Sequence, residues 1–163
     1  MARLKGRAWR QTGIRVPGCH PPRQPAPHAG RYHAVGDPWP LYASLDLETM
    51  WAEWARTTDG AIRPEDDPRW VCSLEVDLAV LDLRDPATRR ALGVGLEELV
   101  GDWSPEQPNR ASQRVAAAAR RLGVDGMVVP SAARDGGWNL AVLPHAFERV
   151  RLVSRRQRQP SPR

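Results

Sequence analysis

The sequence contains little of what marks several large classes of protein. It has only two cysteines, Cys19 and Cys72, and no CxxC pair. Two cysteines are too few for a disulfide framework, and the missing CxxC removes the usual basis for a zinc site. No apolar run approaches the roughly 20 residues of a membrane-spanning helix, and the basic start lacks the apolar stretch of a secretory signal. We therefore expect a cytoplasmic protein that does not enter a membrane.

The short motifs of the commonest enzyme classes are also absent. There is no glycine-rich phosphate loop, and "GVG" at 93–95 lacks the rest of a dinucleotide-binding fingerprint. Ser131, in "VVPSAARDGGWN", has neither a GxSxG context nor an activating histidine motif, which disfavours a nucleophilic serine and leaves a turn serine as the alternative. The histidines near Cys19 match no standard zinc spacing, so we expect no metal site.

Acidic residues are missing from both ends of the chain. Residues 1–31 hold seven Lys/Arg and residues 149–163 hold six Arg, while the other 117 residues hold 11 basic and all 19 acidic residues. A protein that binds nucleic acid normally carries its basic stripe on a folded face. The net charge of +5 is therefore attributed to solvated ends around an acidic body, and no direct nucleic-acid binding is expected.

The length of 163 residues suits a single domain with a core of its own. We divide it into a Pro/Arg-rich segment (1–29) with a short strand at "GRAWRQT", a body (30–148), and a basic, disordered tail (149–163). Strands and helices mix in the body without a regular βαβ rhythm. Strands are predicted at "WPLYAS", "WVCSLEVDLAVLDL" and on both sides of the turn in "VDGMVVPSAARDGGWNLAVLP", and helices at "SLDLETMWAEWA", "DPATRRALGV" and "NRASQRVAAAARRLG".

The first of these helices carries a carboxylate beside its apolar stripe. Glu53 lies roughly 110° from the centre of that stripe, at its flank, where the side chain can reach the rim of a cleft or remain in solvent. Ser44 or Asp46 is a suitable N-cap. The stripe residues follow i, i+3, i+4, i+7 spacing and are Leu47, Met50, Trp51 and Trp54.

Three segments, in this order, resemble the RES-domain family of toxins, which is named for an arginine, a glutamate and a serine. They are "GRYHAVGDPWPLYAS", "LDLETMWAEWA" and "RRLGVDGMVVPSAARDGGWNLAVLP". Together they span about residues 30–145. The strand end "AVLDLRDP" also looks familial. No single segment is decisive, but the three in this order and at these separations are fairly specific.

The resemblance assigns site residues position by position. The residue after the Arg-aromatic pair is often Asn in the family but is His33 here, and the Pro-rich stretch 17–28 is a second departure. Glu48 is another acid on the same helix, but the family pattern favours Glu53. The implied catalytic residues are Arg31, Glu53 and Ser131, and the implied substrate-binding residues are Arg31, Tyr32, Tyr42, Ser131 and Asn139.

The resemblance also implies a fold and an activity. The fold expected is a mixed α/β domain like that of ADP-ribosyltransferases, with a split β-sheet around an NAD cleft. The activity implied is destruction of NAD by cleavage of the nicotinamide–ribose bond, with phosphate or water as acceptor. NAD would be a consumed substrate, and no cofactor or metal is required. The partners implied are an Xre-type antitoxin that blocks the cleft and, in a homodimer, a second copy of the chain.

The residue types suit this chemistry. Cleavage at the ribose carbon passes through an oxocarbenium-like state, which the charge of Glu53 can stabilise. Arg31 offers a planar fork to a diphosphate or phosphate, and Tyr42 can stack on a flat ring. Ser131 would orient the substrate through a hydrogen bond. Two alternatives remain open at this point: transfer of ADP-ribose to a protein, and a degenerate or non-enzymatic binding module.

Overall fold

A computed structural model describes residues 1–15, 18–20, 24–59, 68–101 and 110–158 of the chain. The strands are β1 (Ala2–Gly13), β2 (Leu41–Ser44), β3 (Arg69–Asp82), β4 (Gly126–Pro130), β5 (Trp138–Val142) and β6 (Val150–Arg158). The helices are α1 (Leu47–Thr57), α2 (Pro86–Leu92), α3 (Leu96–Val100) and α4 (Arg110–Leu122), with a 3₁₀ helix at Pro144–Arg149. The predicted mixed α/β domain is confirmed.

The strands form one sheet that closes into a barrel. Its order is β1-β2-β5-β4-β3-β6, and β1 also pairs with β3 along its whole length, from Ala2↔Val80 to Gly13↔Arg69. On its other edge, β3 pairs first with β6 and then with β4; β3–β4 is the parallel pair among the described strands. The described strands do not show the expected split of the sheet, because β1 pairs with β2 on one side and with β3 on the other.

The apolar side chains that alternate along β3 fill the interior of the barrel, as the sequence pattern predicts. Leu74, Val76, Leu78 and Val80 are all at most 2 % exposed. A second apolar layer lies outside the barrel, where the alanine-rich face of α4 packs over β4 and β5. Each fully buried Leu or Val side chain contributes about 1.5–3 kcal/mol to folding. The two layers together fix β2, β4 and β5.

The basic ends of the chain belong to the sheet. Arg3 on β1 pairs with Asp77 on β3 at 2.6 Å, and Arg151 on β6 pairs with Glu75 on the same strand. The basic strands β1 and β6 thus flank β3, which carries the acidic partners. Charges that lie far apart in the sequence are therefore partly neutralised in the folded structure. The prediction of a disordered tail from residue 149 is wrong for residues 150–158, which form β6; residues 159–163 lie outside the described residues.

Local capping residues set the helix ends, as the sequence predicts. Asp46 caps α1 by accepting a hydrogen bond from the Thr49 N–H at 2.7 Å. Asp85 caps α2, with Pro86 at its first position, and α4 ends at Gly123, whose φ of 63° favours glycine. Helix α3, only five residues long, was not predicted. None of the helices described here has the length and apolar character to cross a membrane.

A buried carboxylate anchors the start of β4. Asp125 is 4 % exposed, and it accepts hydrogen bonds from the Ala79 N–H at 2.8 Å and from Arg149 at 2.8 Å. The next residue, Gly126, passes so close to β5 that a Cβ would press on the carbonyl of Ala141. The Gly-Val-Asp-Gly turn therefore sets the register of β4, and through it the position of the loop that follows this strand.

Cys19 and Cys72 form a disulfide. Both residues are at most 1 % exposed, in the barrel core. The bond ties residues 18–20 to the N-terminal part of β3. The expectation of a cytoplasmic protein did not anticipate this bond, and the location stays a prediction.

Candidate active site

A cavity of about 640 Å³ brings together most of the residues that the sequence implicates. The segment 28–33, α1 and the ends of β4 and β5 form its walls, with Trp39 and Arg56 among the lining residues. The sequence-predicted residues in these walls are Arg31, Tyr32, Tyr42, Glu53 and Asn139. Ser131 is absent from the lining and lies behind the wall.

Glu53 is the centre of the hydrogen-bond network. Its Oε1 atom accepts from the Ser131 hydroxyl at 2.6 Å and from the side-chain amide of Asn139, also at 2.6 Å. Within the described part of the chain, its Oε2 atom has no hydrogen-bond partner. Two donors thus hold one oxygen of the carboxylate in place while the other is available to a ligand.

The inward position of Glu53 follows from how α1 is rotated. Leu47, predicted in the apolar stripe, is 39 % exposed, whereas Thr49 is fully buried. The buried face is therefore shifted from the predicted stripe. Glu53 is half-buried at the edge of this face, and Thr57 lies one turn further along the same cavity wall. Of the two environments predicted for Glu53 at the flank of the stripe, its side chain occupies the rim of the cleft.

Ser131 positions the carboxylate from behind. Its hydroxyl donates to Glu53 and accepts from the backbone N–H groups of Ala133 and Arg134 at 3.1 Å each. The side chain is 5 % exposed. The proton of the Ser131 hydroxyl is therefore engaged with Glu53, and the serine holds the carboxylate in place. The backbone contacts agree with the turn-serine interpretation, and a direct contact between Ser131 and a substrate stays a prediction.

Asn139 is oriented by a residue that sequence reasoning considered only as a helix cap. Ser44 faces Asn139 across the β2–β5 pair, and its hydroxyl donates to the Asn139 Oδ1 atom at 2.7 Å. This bond turns the amide nitrogen toward Glu53. The register of β2 and β5 is a tertiary property, so nothing local in the sequence identifies Ser44 as part of the site.

Arg134 ties the loop after β4 to the start of α1. It contacts Glu48 at 2.5 Å and Asp46 at 3.4 Å. The Glu48 side chain is 78 % exposed and lies outside the cavity. The choice of Glu53 over Glu48 as the site acid therefore agrees with the geometry, and Glu48 has a separate partner on the surface.

Arg31 places a cation in the same cavity. Its Nη1 atom donates to the carbonyls of Leu99 at 2.8 Å and Gly101 at 3.0 Å, at the C-terminal end of α3. Helix ends leave such carbonyls without partners, so this contact fixes the arginine. Burial lowers the pKa of Arg31, although an arginine stays charged at neutral pH. Its Nε and Nη2 atoms have no hydrogen-bond partner among the described residues.

Aromatic side chains close the other side of the cavity. The Tyr42 hydroxyl lies 3.1 Å from the Nδ1 atom of His33, and the His33 ring lies 5.1 Å from that of Trp39. Burial raises the pKa of Tyr42 above its ordinary value and that of Tyr32 to about 12. Both hydroxyls are therefore neutral. Gly30 is required beside them because a Cβ there would overlap the His33 ring.

We expect the stability of the protein to fall as the pH is lowered through about 6.5, the ordinary histidine pKa, in part because of His33. Burial lowers the pKa of this 2 %-exposed ring, with Asp37 and Arg120 acting in opposite directions. Below pH 6.5 the unfolded chain binds a proton that the folded chain resists, which favours unfolding. His33→Asn should reduce the difference between urea midpoints at pH 7.5 and 5.5.

The matched control is His145→Asn, since the His145 side chain is 55 % exposed. The change produced by His33→Asn should exceed that produced by His145→Asn. Equal pH dependence in the unchanged protein and His33→Asn would contradict the assignment to His33.

Comparison with known proteins places the chain in a family. The model of the RES domain matches residues 3–161. A probable NAD(+) phosphorylase of Mycobacterium tuberculosis is 37 % identical over 163 residues, covering 98 % of this chain and 75 % of that protein. The crystal structure of the M. tuberculosis MbcT–MbcA toxin–antitoxin complex superposes with a TM-score of 0.75 at 23 % identity, covering 96 % of this chain and 86 % of that one. The chain belongs to the RES-domain family.

Proposed function

We propose that this protein is a RES-type toxin that degrades NAD by breaking the nicotinamide–ribose bond, with phosphate or water as acceptor. The observation that carries the proposal is the Glu53 carboxylate, held by Ser131 and Asn139 at the wall of a 640 Å³ cavity. A volume of that size lies in the range of pockets that bind small organic ligands. The similarity to a probable NAD(+) phosphorylase supports the same reaction.

The reaction asks for a negative charge near the ribose carbon. As the glycosidic bond lengthens, its electron pair moves to the nicotinamide nitrogen, which leaves as a neutral ring without a general acid. Positive charge develops on the ribose, and the Oε2 atom of Glu53 stabilises it. An oxygen of phosphate or water then forms the new bond to the ribose carbon. With phosphate the products are nicotinamide and a phosphorylated ADP-ribose.

The rest of the cavity would hold the dinucleotide. Arg31 supplies a charged fork for the diphosphate, and it faces the same space as Glu53. Tyr42 and Trp39 offer aromatic surface against which a flat ring can stack. NAD is a consumed substrate in this scheme, and no metal or other cofactor is needed. A relation to the ADP-ribosyltransferase fold remains part of the proposal.

An antitoxin is the partner proposed for this chain. The similar MbcT–MbcA structure is a toxin–antitoxin complex, which supports a protein partner of this kind. The Xre type of that partner, a homodimer and a cytoplasmic location are further proposals that come from the family resemblance. A partner that covers the 640 Å³ cavity would prevent NAD from reaching Glu53.

The two alternatives receive less support. A binding module that uses the basic ends loses its main argument, because Arg3 and Arg151 pair with acidic residues of β3. Transfer of ADP-ribose to a protein would require a docking surface beside the cavity, and no described feature identifies one.

The test is nicotinamide release from NAD by the purified protein, with and without phosphate, and the mass of the second product. We expect release, with a phosphorylated ADP-ribose when phosphate is present. Radiolabelled NAD in the presence of added proteins should leave those proteins unlabelled. Well-folded protein that releases no nicotinamide would overturn the proposed function, and labelled protein would favour the transferase.

A further inference from the structure

A second, smaller cavity of about 240 Å³ adjoins the first. Its walls share Tyr42, Glu53, Thr57 and Asn139 with the larger cavity, so Glu53 stands between the two spaces. Arg10 of β1 lines the small cavity and does not line the larger one. None of the sequence motifs draws attention to this side of Glu53.

Arg10 lies on the buried face of a barrel strand. It shares this face with Ala8, which is fully buried, and Thr12, which is 5 % exposed, because alternate residues of a strand point the same way. Its Nη1 atom donates to the carbonyl of Tyr42 at 2.7 Å. Its Nε atom is buried, and neither Nε nor Nη2 has a hydrogen-bond partner among the described residues.

The charge of Arg10 is not compensated by a carboxylate among the described residues. Burial lowers the pKa of its guanidinium to about 10, and no acidic neighbour contributes to that shift. The group is still protonated at neutral pH. A buried cation of this kind is costly unless it is paired, and here it belongs to a residue that lines an open cavity next to Glu53. Such an arrangement favours a bound anion.

The size of the cavity limits the anion. A space of about 240 Å³ is below the range of roughly 300–1,000 Å³ for drug-sized ligands, so it suits an inorganic oxyanion and excludes a dinucleotide. Arginine presents N–H groups in a planar fork that matches the oxygens of phosphate. In the larger cavity, Arg31 then remains available to bind the diphosphate of the dinucleotide.

We infer that Arg10 binds inorganic phosphate in the small cavity and presents it to the ribose carbon of NAD beside Glu53. This inference rests on the proposed function and assigns its acceptor. The Arg10 cation offsets the repulsion between the phosphate and the Glu53 carboxylate. A lone pair of a charged phosphate oxygen forms the bond to carbon, and the C–N electron pair leaves with nicotinamide. The attacking oxygen carries no proton, so the step needs no protein base.

The first test is steady-state kinetics of Arg10→Gln. We expect the KM for phosphate to rise about 10-fold or more, the size of a lost charge-assisted contact, while the KM for NAD changes little. The product should shift from phosphorylated ADP-ribose toward ADP-ribose. Arg7→Gln is the matched control, since it removes an exposed cation from the same strand and should change neither KM.

The second test measures phosphate binding without catalysis. Inorganic phosphate alone should raise the Tm of the unchanged protein and of Arg7→Gln, but not that of Arg10→Gln, relative to chloride at equal ionic strength. Should Arg10→Gln fail to fold, Arg10→Lys takes its place. It keeps the charge without the fork, and we expect an intermediate KM for phosphate.

The outcomes separate this inference from the proposed function. Cleavage of NAD that ignores phosphate, or an unchanged KM for phosphate in folded Arg10 variants, would overturn the phosphate site and leave NAD cleavage standing. A protein that releases no nicotinamide would refute the proposed function. An Arg10-dependent Tm shift by phosphate would then still support the site, and no such shift would refute it too.

Discussion

Glu53→Gln is expected to reduce nicotinamide release from NAD by about 10³-fold, the scale on which single electrostatic contacts act in transition states. Glutamine has the same shape, and its amide oxygen can still accept the bonds from Ser131 and Asn139. The variant therefore removes the charge and keeps the geometry. The measurement is the initial rate of nicotinamide release at saturating NAD, together with toxicity on expression.

Glu48→Gln is the matched control for this prediction. It removes an acid from the same helix, but the Glu48 side chain is 78 % exposed and pairs with Arg134 outside the cavity. We expect its rate to equal that of the unchanged protein. A Glu53→Gln enzyme that retains more than about a tenth of the rate would mean that another group supplies the stabilising charge.

The second large effect is expected from Arg31→Ala. We predict a loss of about 10²-fold in kcat/KM for NAD, mainly through KM, because a buried charged contact to the diphosphate is worth about 1.5–3 kcal/mol. The variant should also be less stable by about 1 kcal/mol, since Arg31 caps the carbonyls of Leu99 and Gly101. The measurements are NAD kinetics and urea unfolding.

Arg114→Gln separates these two effects. Arg114 contacts the α2–α3 region through the Gly93 carbonyl and Glu98 but does not line the cavity. We expect a small change in stability and an unchanged KM for NAD. If Arg31→Ala left the KM for NAD unaltered, the arginine would be a helix cap only.

Sequence reasoning succeeded where the controlling interactions are local. The caps Asp46 and Asp85 and the end of α4 at Gly123 follow from side chains a few residues away. The alternation of β3 likewise predicted which of its residues are buried. Helix α3 was missed because five residues are too few for a helical period to emerge.

The candidate site was predictable only in part. The family resemblance placed five residues that the structure brings to one cavity, namely Arg31, Tyr32, Tyr42, Glu53 and Asn139. It did not indicate that Ser131 donates a hydrogen bond to Glu53. That contact depends on how far α1 rotates against the loop after β4, and packing of side chains such as Thr49 sets this rotation.

The terminal segments were misjudged for a similar reason. A run of arginines without acids has the composition of a solvated tail. Its partners, Asp77 and Glu75, lie more than 70 residues away in the sequence, so no window around the arginines contains them. The sequence did not predict that β1 closes the barrel, because its partner β3 is equally distant. It therefore did not predict that Arg10 is buried beside Glu53.

The residues that hold Glu53 lie far from it in the sequence, and this sets the order in which the parts of the site are synthesised. Glu53 precedes Ser131 by 78 residues and Asn139 by 86, and β6 must still join β3 after them. Because the ribosome delivers the chain from its N-terminus, the carboxylate is made long before the groups that hold it. A chain that stops before β5 lacks both groups that hold the carboxylate or has only the first of them, so a cell that makes this protein meets the assembled site only after β5 has been synthesised.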